Sequence, residues 1–368
     1  MPATYCSPAS SMQSPQNRDL HRLLTANARD LRVNGKATQR SIAAAFYQGL
    51  IDCQHPSNTA PLAAFMAAEG SRRVPAFVFE SLFVRELRLS NEVSESWHVC
   101  QPRNPSAPSI WFKLLSDDRG WSDLDESFSQ RLISRDVHVW KSWYKGNQLF
   151  LAPADNENAA VSAREFIELN PCDMPVHRGE VRNMLAADEL PMNALRMLEE
   201  AGKPSIDQLI RSRVFINCFL ELAGGRPFDV DAICRNRSGQ IFATEFKRKY
   251  PSRHGFLGID QHLLILPRLL EDICPLHHFV LLDRRGRGGK GNDPTCALLE
   301  EGINGPNFEW LVLLIEPNSQ DRFKKVLQTT GLDSGQRGGV REQIAIPRSA
   351  FSVLKSLQDF ELRTQDPA

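Results

Sequence analysis

The chain has 368 residues, 42% of them hydrophobic and 24% charged, with 44 acidic and 44 basic side chains and a formal net charge of zero. That length exceeds the usual single-domain size, so we expect two domains, or one with a large extension, and enough chain to bury a core. Balanced charge excludes a protein that coats nucleic acid through bulk electrostatics, because non-specific affinity comes from phosphate neutralisation; any such surface has to be local.

Eight cysteines (Cys6, Cys53, Cys100, Cys172, Cys218, Cys234, Cys274, Cys296) are scattered without a CxxC pair or a short Cys/His cluster. They read as reduced thiols, with no zinc site among them. No apolar run reaches the roughly 18 residues of a membrane helix, and the N-terminus lacks a charged-then-apolar leader. The expectation is an intracellular, cytoplasmic protein with no membrane partner.

Residues 1–17, rich in Ser, Pro, Gln and Ala, hold too little apolar surface to offset ordering entropy and read as a disordered tail. Leu20 to Ile51 reads as two helices, with a weak helix-turn-helix signal. Between 80 and 150, alternating stretches such as Val137-His138-Val139-Trp140 and Gln148-Leu149-Phe150-Leu151 suggest strands. Five of the six tryptophans lie between Trp97 and Trp143. Packing of a small core is their ordinary explanation and base stacking the sharper one.

Residues 152–204 carry loop and linker composition, which places a domain boundary near 190–204. An N-terminal α+β domain at 18–195 is expected, with substrate targeting as one role for it, followed by an α/β domain at 203–368. Within the latter we expect a helix at 205–223, strands at 227–235 and 240–248, and a helix at 256–273 kinked at Pro267. Strands at 278–282 and 310–315 follow, then helices near 319–329 and 348–358.

The chemistry concentrates in Arg226-Pro227-Phe228-Asp229-Val230-Asp231-Ala232-Ile233-Cys234, a short polar turn, and Gln240-Ile241-Phe242-Ala243-Thr244-Glu245-Phe246-Lys247-Arg248-Lys249. Two strands joined by such a turn pair as a hairpin. Side chains alternate faces, so Asp229 shares a face with Asp231, and Glu245 with Lys247. Correct register would converge three carboxylates and one ammonium. Clustered carboxylates repel unless a cation joins them, and Mg²⁺ takes one or two carboxylates plus waters and a phosphate. A neighbouring lysine can orient an attacking water and offset charge building on the phosphate. Between Arg226 and Arg253 there are seven basic residues against three acids; Arg248, Lys249 and Arg253 could hold backbone phosphates.

The pattern "FDVDAIC…IFATEFK" resembles the PD-(D/E)XK nuclease superfamily over roughly residues 205–320. The resemblance implies a restriction-endonuclease-like core, a mixed sheet flanked by helices, and Mg²⁺- or Mn²⁺-dependent hydrolysis of DNA, RNA being also open. It implies Asp231 and Glu245 as metal ligands, the main-chain carbonyl of Phe246 as a third, and Lys247 as the water-orienting group. It also implies a Gln near the phosphate, for which Gln261 is the match, and a further acid on the first helix, for which Glu221 stands at the helix end. Pro227 is separated from the acids by Phe228, so Asp229 or Asp231 could be the metal Asp; Asp231, 14 residues before Glu245, is favoured. The family would allow a homodimer or a protein partner.

Several competing readings are weaker. Asp229-x-Asp231 as the DxD of a glycosyltransferase leaves Glu245 and Lys247 unexplained, and the Gly-rich stretch Asp283 to Gly291 lacks Walker spacing. His254, His262, His277 and His278 read as structural or surface histidines. A catalytically inactive nuclease-fold module that binds nucleic acid or a protein is the alternative of a different class.

Overall fold

A computed structural model of the chain describes residues 79–102, 108–116, 120–145, 148–169, 212, 215–220, 225–249, 255–260, 264–285, 298, 301–323, 326–330 and 340–360. The expected tail, the helices between Leu20 and Ile51, the boundary at 190–204, and Glu221, Arg253, His254, Gln261 and His262 lie outside these residues.

The described elements are mixed α/β, with mixed sheets and few helices. Helix α1 spans residues 79–87. The strands are β1 (Glu92–Ser94), β2 (Trp97–Pro102), β3 (Ile110–Leu114), β4 (His138–Lys145), β5 (Gln148–Pro153), β6 (Val161–Ser162), β7 (Gly225–Val230), β8 (Ala232–Arg235) and β9 (Ile241–Lys249). They continue with β10 (Phe256–Asp260), β11 (Leu276–Asp283), β12 (Phe308–Ile315), β13 (Val326–Thr330), β14 (Val340–Pro347) and β15 (Ser352–Leu354). Helices α2 (Asp123–Ile133), α3 (Ala163–Leu169), α4 (Ile265–Leu269) and α5 (Ser319–Arg322) are interspersed.

The chain divides into two compact units: one includes Ser96–Asp229, and the other joins Leu82–Glu95 to Val230–Ala368. The division therefore falls at 229/230, and a segment from the N-terminal half completes the second unit.

The first unit is built on a six-stranded sheet in the order β6-β5-β4-β3-β2-β7. β3 and β4 are parallel, linked through α2, whereas β2 with β3 and β4 with β5 are antiparallel. Helix α2 starts where it does because Ser122 caps it: the hydroxyl accepts from Asp125 N–H, and the Asp125 carboxylate accepts from Ser122 N–H in return. One face of the sheet buries Phe112, Leu114, Leu149 and Leu151 against Phe166, Phe215 and Phe219. Of the expected 205–223 helix, residue 212 is helical and Phe215–Leu220 forms a π-helical turn that contributes to this core. Trp97 and Trp111 are fully buried, so part of the tryptophan cluster is core.

The second unit holds a sheet in the order β1-β8-β9-β11-β12-β15, mixed because β9 and β11 run parallel while the other pairs are antiparallel. Alternating apolar residues bury Phe242, Phe246, Phe279 and Trp310 on one face. Phe83 of α1 lies on that face, its ring stacked on Phe246 at 4.0 Å and within 5.6 Å of Phe279 and Trp310. A second sheet, β10-β14-β13, is antiparallel throughout.

Three expectations are corrected. The helix at 256–273 begins instead as β10, because Leu257 and Ile259 are buried and Phe256, Gly258 and Asp260 less so, a period of two that pairs with β14. Gly258, a poor helix residue, lies so close to Gln343 that a Cβ there would clash with its Oε1. The helix near 319–329 is one short turn, α5, followed by β13. The helix at 348–358 is replaced by short 3-10 turns around β15, which pairs with β12.

Candidate functional site

The hairpin β8–β9 forms because β8 and the first part of β9 carry apolar, β-prone residues and the turn between them is specified by its own side chains. Asn236 Oδ1 accepts from the N–H groups of Ser238 and Gln240 at 3.1 and 2.9 Å, and Gly239 takes the left-handed φ of +82° that the reversal needs. Register runs from Arg235↔Ile241 to Ala232↔Thr244. One further step along it sets Asp231 across from Glu245, and Asp231 occupies the bend where the chain leaves β7 for β8.

That bend brings three of the expected residues together. Phe246 N–H donates to Asp231 Oδ2 at 2.8 Å, fixing the carboxylate against β9. Lys247 Nζ lies 3.9 Å from Asp231 Oδ2 and forms an ion pair with Glu245 Oε1. The carboxylate side chains are nearly buried, 8% exposed for Asp231 and 5% for Glu245, whereas Lys247 is 37% exposed. The two carboxylates are thus enclosed, whereas the ammonium between them reaches solvent.

Asp229 belongs to β7, in the sheet of the other unit, so the pair of acids does not sit on one continuous strand as expected. Arg248 alternates onto the face of Phe246, opposite Lys247, which removes it from the ammonium's side of the strand. Lys249 returns to the Lys247 face. Among the described residues, no group of three or more His, Cys, Asp or Glu is arranged to hold a metal ion. The donor set is two carboxylates and, between Glu245 and Lys247, the backbone of Phe246.

A histidine that the sequence presents as structural or surface adjoins these residues. His278 stands opposite Glu245 in the parallel β9–β11 register and is 1% exposed. Burial first, and then the charges of Lys247 and Lys249, push its pKa down to about 3, against a hydrogen bond from the ring to the Glu245 backbone that works the other way. A neutral imidazole thus backs Glu245. Only the pairing of β9 with β11 reveals this, since 33 positions separate the two residues in the chain.

Scanning protein-family models, curated proteins and solved structures returns no match to this chain. No helix among the described residues is long and apolar enough to cross a membrane.

Proposed function

We propose that the second unit is a Mg²⁺-dependent endonuclease of the PD-(D/E)XK type, hydrolysing DNA phosphodiester bonds. One observation carries the reading: two nearly buried carboxylates, Asp231 and Glu245, meet a half-exposed ammonium, Lys247, across a hairpin. Such groups are costly to bury together, and sites that hold them usually use them.

The donor set suits a hard divalent cation, because Mg²⁺ needs only one or two carboxylates and completes its shell with water and substrate oxygens. Asp231, Glu245 and the Phe246 carbonyl would hold it. When bound, it supplies Lewis acidity toward the phosphoryl oxygens and lowers the pKa of an attacking water.

The chain's own groups do the rest. Phe246 N–H keeps the Asp231 carboxylate from rotating, so its orientation needs no reorganisation when substrate arrives. His278 supports the backbone that carries Glu245. Lys247, the most exposed of the three, places its positive charge where negative charge grows on the phosphate and can orient the water that attacks it. Lys249, on the same face, serves an adjacent backbone phosphate, which positions the strand without reading sequence.

The test is cleavage by the purified full chain and by Glu245→Ala and Lys247→Ala. Both variants should stay folded by circular dichroism and lose cleavage. Undiminished cleavage by both would overturn the reading, and nucleic-acid binding without cleavage in Mg²⁺ or Mn²⁺ would replace it with a binding module.

A further inference from the structure

The first unit holds a second constellation, on the sheet face opposite its Phe112–Phe219 core. Along β4 that face carries Val139, Lys141, Trp143 and Lys145, alternating with residues on the core side. Burial declines in that order: Val139 and Lys141 are buried, Trp143 is half-buried and Lys145 is exposed. Across the strand pair, Trp143 stands opposite Phe150, with the rings stacked at 6.1 Å and 19°. Both rings are half-buried, and neither belongs to the core cluster that takes in Trp140 and Tyr144 from the other face. Residues on one face recur every 6–7 Å or so, so a partly open aromatic pair is flanked by a lysine on each side.

The two lysines differ from the other buried lysine of this sheet. Lys113, beside Lys141 in the β3–β4 register, has its Nζ 3.2 Å from Asp125, which also accepts from Trp97 Nε1 at 3.1 Å; that network is internal and closed. Lys141 lies 4.4 Å from the Trp121 ring and pairs with Glu157, whose side chain is 71% exposed. An exposed carboxylate on a buried cation is an exchangeable partner, since solvent screening weakens its hold. Lys145 makes no ion pair among the described residues. The neighbouring acid Glu126 accepts from Trp121 Nε1 at 2.7 Å and Gln130 Nε2 at 2.9 Å and also attracts Lys141 through space, so Glu157 is the exchangeable one of two acids near that lysine.

We propose that this face binds single-stranded nucleic acid, with bases stacking on Trp143 and Phe150 and backbone phosphates pairing with Lys145 and, in place of Glu157, with Lys141. Flat rings flanked by cations are the chemistry of sequence-tolerant strand binding, because every base offers a π-face. The choice of nucleic acid as the ligand rests on the nuclease reading of the second unit, and gives that reading a substrate class: DNA with an unpaired segment.

The experiment is fluorescence anisotropy of the full chain with a labelled oligo-dT strand, and with the same strand in duplex, in EDTA so that no hydrolysis intervenes. Trp143→Leu, which keeps apolar bulk but removes the π-face, should weaken single-strand binding about tenfold, the loss expected for one stacked base, and leave duplex binding unchanged. Trp143→Phe should restore most of the affinity. Glu157→Gln should tighten binding, whereas Asp155→Asn, at an exposed acid without an ion pair among the described residues, should not. Wild-type affinity in Trp143→Leu, equal losses on single strand and duplex, or equal gains in the two acid variants would each overturn the proposal. If thermal melting shows Trp143→Leu to be unfolded, Lys145→Glu reads the same surface from an exposed position, and unchanged binding there is equally decisive. Cleavage that survives Lys247→Ala removes the hydrolytic reading without touching this measurement.

Discussion

Replacing Phe83 with alanine removes the ring that backs the site from the far side of the sheet. Phe83 is fully buried, stacked on Phe246 at 4.0 Å and 21°, with Phe279 and Trp310 as its other ring neighbours. Deleting a buried phenyl group costs roughly 3–5 kcal/mol through lost burial and the cavity left behind, and a stacked pair sits toward the upper part of that range. A loss of about 4 kcal/mol should speed hydrogen exchange of β9 and β11 amides, where these open with the unit, on the order of a thousandfold. Exchange read by mass spectrometry isolates this unit from the other, which a single unfolding curve would not. Phe83→Leu, keeping most of the volume, should cost about 1–2 kcal/mol. Because Phe246 supplies both the N–H that fixes Asp231 and the carbonyl assigned to the metal, Phe83→Ala should also raise the Mg²⁺ concentration needed for cleavage. A change of less than about tenfold in β9 and β11 exchange would refute the account of how the strand is held.

Asp125→Ala should destabilise the first unit by about 3–5 kcal/mol, because it strands Lys113 in the interior and removes half of the α2 capping box; thermal melting checks this. Acid should weaken the second unit: burial against Phe242, Phe279 and Phe360 lowers the His277 pKa from 6.5 to about 4, so the unfolded chain takes up a proton that the folded chain refuses. The stabilising term is complete above pH 6.5 and falls as pH drops toward 4, by roughly 1.4 kcal/mol per pH unit, with His278 adding in the same direction; exchange in β11 measured across that window should follow it. Gly258→Ala forces Gln343 away from its 2.6 Å bond to Asp260 and should cost about 1–2 kcal/mol in β10–β14 exchange protection.

The hairpin at the site is legible because its signals are local: a short polar turn holding Asn236 and Gly239, and the strand period of two that sets Glu245 and Lys247 on one face. What alternation could not show was the bend at Asp231, which sends β7 into a different sheet and takes Asp229 with it. Nor could it show β1, whose Glu92 pairs with Arg235 from 143 positions away, or α1, whose Phe83 meets Phe246 only once the sheet exists. β10 reads as helix from the sequence because the apolar run Leu263 to Leu270 beyond it extends a helical pattern backward over Gly258, and β15 does so because its partner β12 lies about 40 positions upstream. The sequence implies a structural or surface role for His278, and burial makes it structural; its place beside Glu245 depends on a parallel pairing that no short window contains.

The most direct measurement of the central claim is incubation of the purified chain with supercoiled plasmid in Mg²⁺, in EDTA, and in Mg²⁺ with Lys247→Ala. The account predicts nicking or linearisation in the first case alone. Cleavage that persists in EDTA or without Lys247, or a plasmid left intact in Mg²⁺ and Mn²⁺, would contradict it.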